Sequence, residues 1–344
     1  EGKADVWDSG VRESAQSVGV AFEGAPLEAG TSYWWTVKAW TRADAGSTVG
    51  RESRWASPMQ FVTATVQDSC FSHYPLVKTR QKPLRATRPA ALTSVYDFGK
   101  DAFAQLTLRV RTTHDGDSIT VRLGEAMREG RVDSKPQGSV RYASYVIPLG
   151  THDYPLRLRP DRRNTAPGAN ESGVDPILMP PSIGEVFPFR YVEVEGRGQV
   201  RAVWRQAVHV PFSEQEAQFH CSDTVLNQVW ELCKYSIRAT SFAGIYVDGD
   251  RERIPYEADA LVNQLSHYTT DREYTTARRS IAHLIEHPTW PTEWILITPR
   301  MAWLDYLYTA DRRMLERHYT SLAAKTLAPL RDERGLISTR TGLV

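Results

Sequence analysis

The chain is short of the features by which several functional classes declare themselves. Its 344 residues include three cysteines, Cys70, Cys221 and Cys233, too few for a disulfide framework, so no step of folding is expected to depend on oxidation. Neither sign of charge is in excess. The balance of 42 basic and 41 acidic residues leaves +1, which gives no electrostatic basis for binding nucleic acid or an anionic membrane surface. No apolar run reaches the roughly 18 residues that a membrane-spanning helix needs. A G-x-S-x-G elbow, a glycine-rich phosphate loop and a dinucleotide fingerprint are all missing, so neither a serine nucleophile nor a nucleotide cofactor is expected. The opening "EGKADVWDSG" lacks the basic and apolar regions of a signal peptide. It reads as the middle of a domain, and the N-terminus is expected to be cut.

What is present is ordinary in bulk, with 41% hydrophobic and 24% charged residues, and the length fits two or three domains. Three zones follow one another. Residues 1–64 read as β structure: "TSYWWTVKAWT" alternates with period two, and a second short strand covers 59–63. About three to five strands fit there, fewer than the roughly seven of a complete sandwich. Residues 65–212 are β again, with the alternating runs "FAQLTLRVRT", "DSITVRLGEA", "RYASYVIPL" and "FRYVEVEG" separated by "HDGD" and "GTHDYP" turns. The Pro/Gly/Asn-rich "DRRNTAPGANESGVDPILMPPS" reads as one long loop, and the zone as a jelly-roll β-sandwich. Its "NES", residues 170–172, fits a glycosylation acceptor but is too short to carry weight.

From residue 213 the period becomes helical. "SDTVLNQVWELCKYSIRATSF" places Val225, Leu226, Val229, Trp230, Leu232, Cys233 and Ile237 on one stripe, with Ser222 or Asp223 as N-cap and Cys233 expected in the core. Four more helical segments follow, "EADALVNQLSHYTT", "DREYTTARRSIAHLIEH", "PRMAWLDYLYTA" and "DRRMLERHYTSLAAKTLAPL", with Asp271 and Asp311 placed to cap two of them. Their short linkers suit antiparallel helix pairs. The helical domain, 213–344, is expected to be incomplete.

Two candidate sites compete. His283 and His287 lie four apart on one helix face, but Leu284 stands where a zincin has its glutamate and no third ligand is evident. The pair is expected to be structural, and no metal is expected. The second candidate is "YVDGDRERIPYEADA", residues 246–260, with five carboxylates, Asp248, Asp250, Glu252, Glu257 and Asp259, beside Arg251 and Arg253. As a charge-balanced loop it would be unremarkable, and Glu257 is expected to be only a helix-start charge. Apolar flanks on both sides, however, draw some of these charges inward, and partly buried carboxylates beside arginines are how an acid and a base acquire different pKa values. Aromatic residues follow at Tyr256, Tyr268, Trp290 and Trp294, with Glu293 among them. Carboxylates to move protons and hold hydroxyls, with rings to stack on a sugar face, make a glycosidase pocket.

These stretches, in this order, resemble glycoside hydrolase family 78, the bacterial α-L-rhamnosidases. "VWDSGVRES", "LEAGTSYWWTVKAW" and "RWASPMQFVTA" are similar to a fibronectin-like unit, "FGKDAFAQLTLRV", "ITVRLGEAM" and "FPFRYVEVEG" to a β-sandwich domain, and "FHCSDTVLNQVWELCKYS" to the first helix of an (α/α)6 six-hairpin barrel. The resemblance implies hydrolysis of terminal non-reducing α-L-rhamnose from a rhamnose-containing glycoside or polysaccharide, with inversion. By resemblance Glu252, between Arg251 and Arg253, is the general acid, and Asp259 binds rhamnose hydroxyls. An earlier family aspartate lies six residues before the acid. Here Asp248 is four before and Asp250 two before, so both stay open as substrate contacts. Arg251 and Tyr256, which replaces a tryptophan, complete the expected pocket with Trp290, Glu293 and Trp294 as subsite residues. The water-activating base, across roughly 6.5–9.5 Å in an inverting enzyme, is implied to lie beyond residue 344, so the 344 residues alone are expected to be inactive or nearly so. The alternatives are another six-hairpin glycosidase with a different sugar, or a non-catalytic carbohydrate-binding protein.

Overall fold

The structure, a computed structural model, describes residues 4–12, 14, 20–40, 52–63, 70, 75–111, 116–149, 153–168 and 174–337. The "NES" tripeptide and the junction expected at residues 64 and 65 lie outside the described residues. The chain divides into two compact units, Glu1–Ser72 and His73–Val344.

In the first unit β1 (Ser32–Trp35) and β2 (Met59–Val62) pair antiparallel, Tyr33 opposite Phe61. The two rings stack with centroids 5.7 Å apart, the kind of cross-strand contact by which a narrow β pair is held. The strand read over "TSYWWTVKAWT" ends at Trp35, and beyond it the Ala56 and Ser53 amides still donate to the Val37 and Ala39 carbonyls, with a bridge between Trp40 and Glu52.

Among its described residues, the second unit opens with ten strands. These are β3 (Val77–Gln81), β4 (Arg85–Ala90), β5 (Thr93–Arg111), β6 (Ser118–Gly124), β7 (Met127–Arg128), β8 (Arg131–Val132), β9 (Tyr142–Pro148), β10 (Asp153–Pro155), β11 (Phe187–Gly196) and β12 (Gln199–His209). Eight of them form one antiparallel sheet in the order β3-β12-β5-β11-β6-β9, with β4 and β10 also paired to β5. The 19-residue β5 carries this arrangement. Its first half runs between β4 and β11 and its second half between β10 and β12. Alternate residues on the predicted runs, Leu106, Leu108 and Val110 on β5 and Ile119, Val121 and Leu123 on β6, are buried together with Phe189, Val192 and Val203. Alternation therefore identified the core face correctly in these central strands.

Among the described residues five helices follow: α1 (Thr224–Thr240), α2 (Glu257–Thr270), α3 (Thr275–Glu286), α4 (Ile297–Thr309) and α5 (Arg313–Ala324). Asp223 is the α1 N-cap, accepting from the Val225 and Leu226 amides at 2.8 and 3.3 Å. The α1 stripe departs from expectation: Val225, Leu226, Val229 and Leu232 are exposed, and Cys233 is exposed rather than packed in the core. The helix instead packs against α2, β5 and β12, with Lys234 and Ile237 buried and the Tyr235 hydroxyl donating to the Asp101 carbonyl of β5. Periodicity shows which face is apolar but not which neighbour covers it. Capping also differs at α3, where Glu273, not Asp271, accepts from the Thr275 and Thr276 amides at 2.7 and 3.1 Å. Asp311 behaves as expected and accepts from the Arg313 amide, the first of α5. A buried polar knot joins three helices: Asp305 of α4 accepts from the Tyr268 hydroxyl of α2 at 2.6 Å and from Arg278 Nε of α3 at 2.9 Å.

Candidate active site

The acidic stretch forms the connection between α1 and α2, after a single 3-10 turn, Ser241–Ala243. Gly244 at φ +68° ends that turn. The chain then runs through buried Ile245, Tyr246 and Val247, which explains why the stretch has an apolar leader. Asp248 closes the loop on itself. Its amide donates to the Ile254 carbonyl at 2.9 Å, and its carboxylate accepts from the Ile254 amide at 3.0 Å. Two residues inside this closed loop turn through the left-handed region, Gly249 at φ +130° and Arg253 at φ +56°. The former suits glycine; the latter is a strained setting for a side chain with a Cβ.

The loop sorts its charges. Asp250 and Arg253 point inward, with side chains 8% and 2% exposed, and Arg253 Nη2 lies 3.0 Å from Asp250 Oδ1. Arg251 points out at 64%, and Glu252 lies between these extremes at 20%. Arg251 Nη2 donates to Glu252 Oε1 at 2.7 Å, and the Tyr256 hydroxyl donates to Oε2, also at 2.7 Å. The Tyr256 ring stands edge-on to Trp294, centroids 6.0 Å apart. Burial pushes the Asp248 carboxyl up to about 6, and the charges of Glu252 and Asp259 add to the effect. Burial also raises the Asp259 carboxyl in the first turn of α2. Asp248 thus senses the charges of both Glu252 and Asp259.

The two remaining carboxylates of the stretch, Asp250 and Glu257, face the interior. The Asp250 carboxylate is turned into the interior, where burial raises it against the pull of Arg253 and Arg141. Glu257, read from sequence as a simple helix-start charge, is fully buried and binds the Thr289 amide at 3.1 Å and the Thr289 hydroxyl. That contact ties the start of α2 to the segment bearing Trp290 and Glu293, both of which are exposed. His283 and His287 meet edge to face at 4.6 Å, and burial, with the neighbouring His287 charge, pushes His283 down to about 4. Among the described residues no group of three or more His, Cys, Asp or Glu could hold a metal ion.

Sequence reasoning missed the groups that hold the loop from outside it. Arg141, just before β9, reaches Asp250 at 2.8 Å and Asp161 at 2.9 Å. Asn164 donates to both the carbonyl and the carboxylate of Asp250, and Glu185 meets Arg253 at 2.7 Å. All three come from the sheet region or its long loop, and only the density of polar residues in "DRRNTAPG" hinted at them.

Three family profiles match along the chain. Residues 1–67 match a Rha78A-like, N-terminal immunoglobulin domain, residues 87–211 a bacterial alpha-L-rhamnosidase concanavalin-like domain, and residues 214–335 a bacterial alpha-L-rhamnosidase 6 hairpin glycosidase domain. An alpha-L-rhamnosidase of Formosa agariphila is 38% identical over 69 residues, 20% of this chain and 7% of its own length. One of Streptomyces avermitilis is 40% identical over 68 residues, 20% of this chain and 6% of its own. The matches therefore span less than a tenth of the length of these curated relatives. Among solved structures, a rhamnosidase from Klebsiella oxytoca with rhamnose bound superposes with TM-score 0.55 at 13% identity, over 77% of this chain and 59% of that one. The alpha-L-rhamnosidase from Dictyoglumus thermophilum gives 0.55 at 19%, over 75% of this chain and 30% of that one. At these identities the superpositions establish the fold.

Proposed function

Because the chain belongs to the bacterial α-L-rhamnosidase family, each of its three parts being matched by a domain of that kind, we propose that it releases terminal non-reducing α-L-rhamnose from rhamnosides. The observation that carries this reading is the grouping of Asp248, Glu252 and Asp259 beside Tyr256 and Trp294 in the first hairpin connection. Glu252 protonates the leaving glycosidic oxygen, with Arg251 and Tyr256 fixing its orientation. Asp248 and Asp259 accept hydrogen bonds from the sugar hydroxyls, and Trp294 lies alongside the ring face. The rhamnose bound in the Klebsiella oxytoca structure supports the choice of sugar. The reaction inverts, so a second carboxylate activates water on the face of the sugar opposite Glu252.

A second reading exchanges two roles. Both Glu252 oxygens already accept hydrogen bonds, whereas Asp248 is the carboxyl raised to about 6 and so is protonated in mildly acidic solution. In this version Asp248 is the proton donor and Glu252 binds the sugar. Leaving-group dependence separates the two, because an acid matters less as the aglycone becomes a better leaving group. Assaying Glu252→Gln and Asp248→Asn in the intact protein on aryl α-L-rhamnosides of graded phenol acidity identifies the donor. The variant whose loss, about 10² or more on a poor leaving group, shrinks on an activated one has lost the acid. A wild-type protein without turnover on any of them rejects the proposal.

A further inference from the structure

Asp250 and Arg253, two residues before and one after Glu252, are held by groups from the β-sheet and its loops. Asp250 takes Arg141 at 2.8 Å and Arg253 at 3.0 Å and accepts from Asn164 at 3.2 Å. Arg253 is clamped by Glu185 at 2.7 Å and by the Val186 carbonyl at 3.3 Å, and lies over the Phe242 ring at 5.5 Å. Its own carbonyl accepts from the Ile177 amide at 2.9 Å. Phe242 in turn stacks on Phe103 of β5 at 3.6 Å. A non-glycine residue at φ +56° persists only where its surroundings over-determine it, and here guanidinium, carbonyl and ring contacts all do so.

We propose that Asp250 and Arg253 are positioning residues that set the direction of Glu252 through the main chain, with Arg141, Asn164 and Glu185 of the sandwich as their anchor. On this view the sandwich is a working part of the active site, because it contributes the rigid half of the loop's frame. Asp250 does not touch the sugar. Its Oδ1 accepts from Arg253 and Asn164, and its Oδ2 is ion-paired with Arg141 at 2.8 Å, so the carboxylate is held in the interior by three groups. A small displacement of a catalytic group is enough to cost rate while leaving substrate affinity nearly unchanged.

The inference rests on the rhamnosidase reading, and the experiment separates the two. In the intact protein, Asp250→Asn and Arg253→Met are assayed for kcat and KM on p-nitrophenyl α-L-rhamnoside beside Arg253→Lys, Asn164→Ala and Arg122→Met. The expected result is a fall in kcat of about tenfold or more for Asp250→Asn and Arg253→Met, with KM within about twofold. Partial recovery is expected in Arg253→Lys, which keeps the charge, and a smaller loss of the same kind in Asn164→Ala. Arg122→Met removes a different sandwich ion pair, Arg122 to Glu193 at 2.7 Å, and is expected to lower thermal stability with kcat unchanged. Asn164→Ala carries the test if Asp250→Asn does not fold. Wild-type kcat in Asp250→Asn or Asn164→Ala, or equal kcat losses in Arg122→Met, overturns the inference alone. No hydrolysis by the wild-type protein overturns the rhamnosidase reading and this inference with it.

Discussion

Glu257→Ala should weaken the helical part of the protein by about 3 kcal/mol. The Glu257 side chain has no exposure to solvent. One oxygen accepts the Thr289 amide at 3.1 Å, and the other accepts the Thr289 hydroxyl. Truncation strands both donors in the interior, at about 1–3 kcal/mol each. It also removes a negative charge from the first turn of α2, worth roughly 0.3–1 kcal/mol. Relief from burying the carboxylate offsets part of the sum. Glu257→Gln keeps the shape, and its amide can accept from the Thr289 amide while donating to the hydroxyl, so its cost should be about half. Urea unfolding followed by tryptophan fluorescence reads both variants, because Trp290 and Trp294 belong to the segment that Thr289 anchors. At a slope of about 2–3 kcal/mol per molar urea, the alanine midpoint should drop by about 1 M or more. A loss below about 1 kcal/mol for alanine, or a glutamine variant no better than alanine, refutes the idea that this carboxylate is a buried strut.

Two further outcomes follow from the polar groups. Burial pushes the Asp101 carboxyl up to about 8, with its hydrogen bond to Glu125 and the Glu125 charge adding to the effect. The folded chain therefore keeps a proton that the unfolded chain has lost above about pH 4. Stability from this group is present below that pH and falls as pH rises from about 4 to about 8. Asp101→Asn should flatten the slope in urea unfolding at pH 5 and pH 8; an unchanged slope removes Asp101 as its source. Tyr256→Phe deletes the hydroxyl that binds Glu252 while keeping the ring against Trp294. Its kcat on an aryl α-L-rhamnoside should fall about three- to tenfold, the effect of losing one hydrogen bond to a charged group at a partly solvated site. Wild-type kcat in that variant excludes a role for the hydroxyl in holding Glu252.

Local pattern and long-range contact were unequally legible. The stretch "EADALVNQLSHYTT" coincides with α2, Glu257–Thr270, because an apolar face of period 3.6 and a first turn rich in acid are encoded in adjacent residues. The long alternation in "FAQLTLRVRT" similarly marked the buried half of β5. The uncovered stripe of α1 was misread because amphipathicity says nothing of the partner. Glu257 was misread because a glutamate in a first turn looks the same whether it faces water or a threonine 32 residues away. The loop itself could be singled out as a candidate from its carboxylates and arginines. The division of labour within it could not. Asp250 differs from Asp248 through Arg253, Arg141 and Asn164, and Asn164 lies 86 residues earlier in the chain.

The most direct test of the central proposal is hydrolysis of p-nitrophenyl α-L-rhamnoside by the intact protein and its Glu252→Gln variant, with the released sugar's anomer followed by NMR. Turnover by the wild type giving β-L-rhamnose first, and a kcat lower by about 10² or more in Glu252→Gln, is the predicted result. Full activity in the variant contradicts the role of Glu252, and first-formed α-L-rhamnose contradicts inversion.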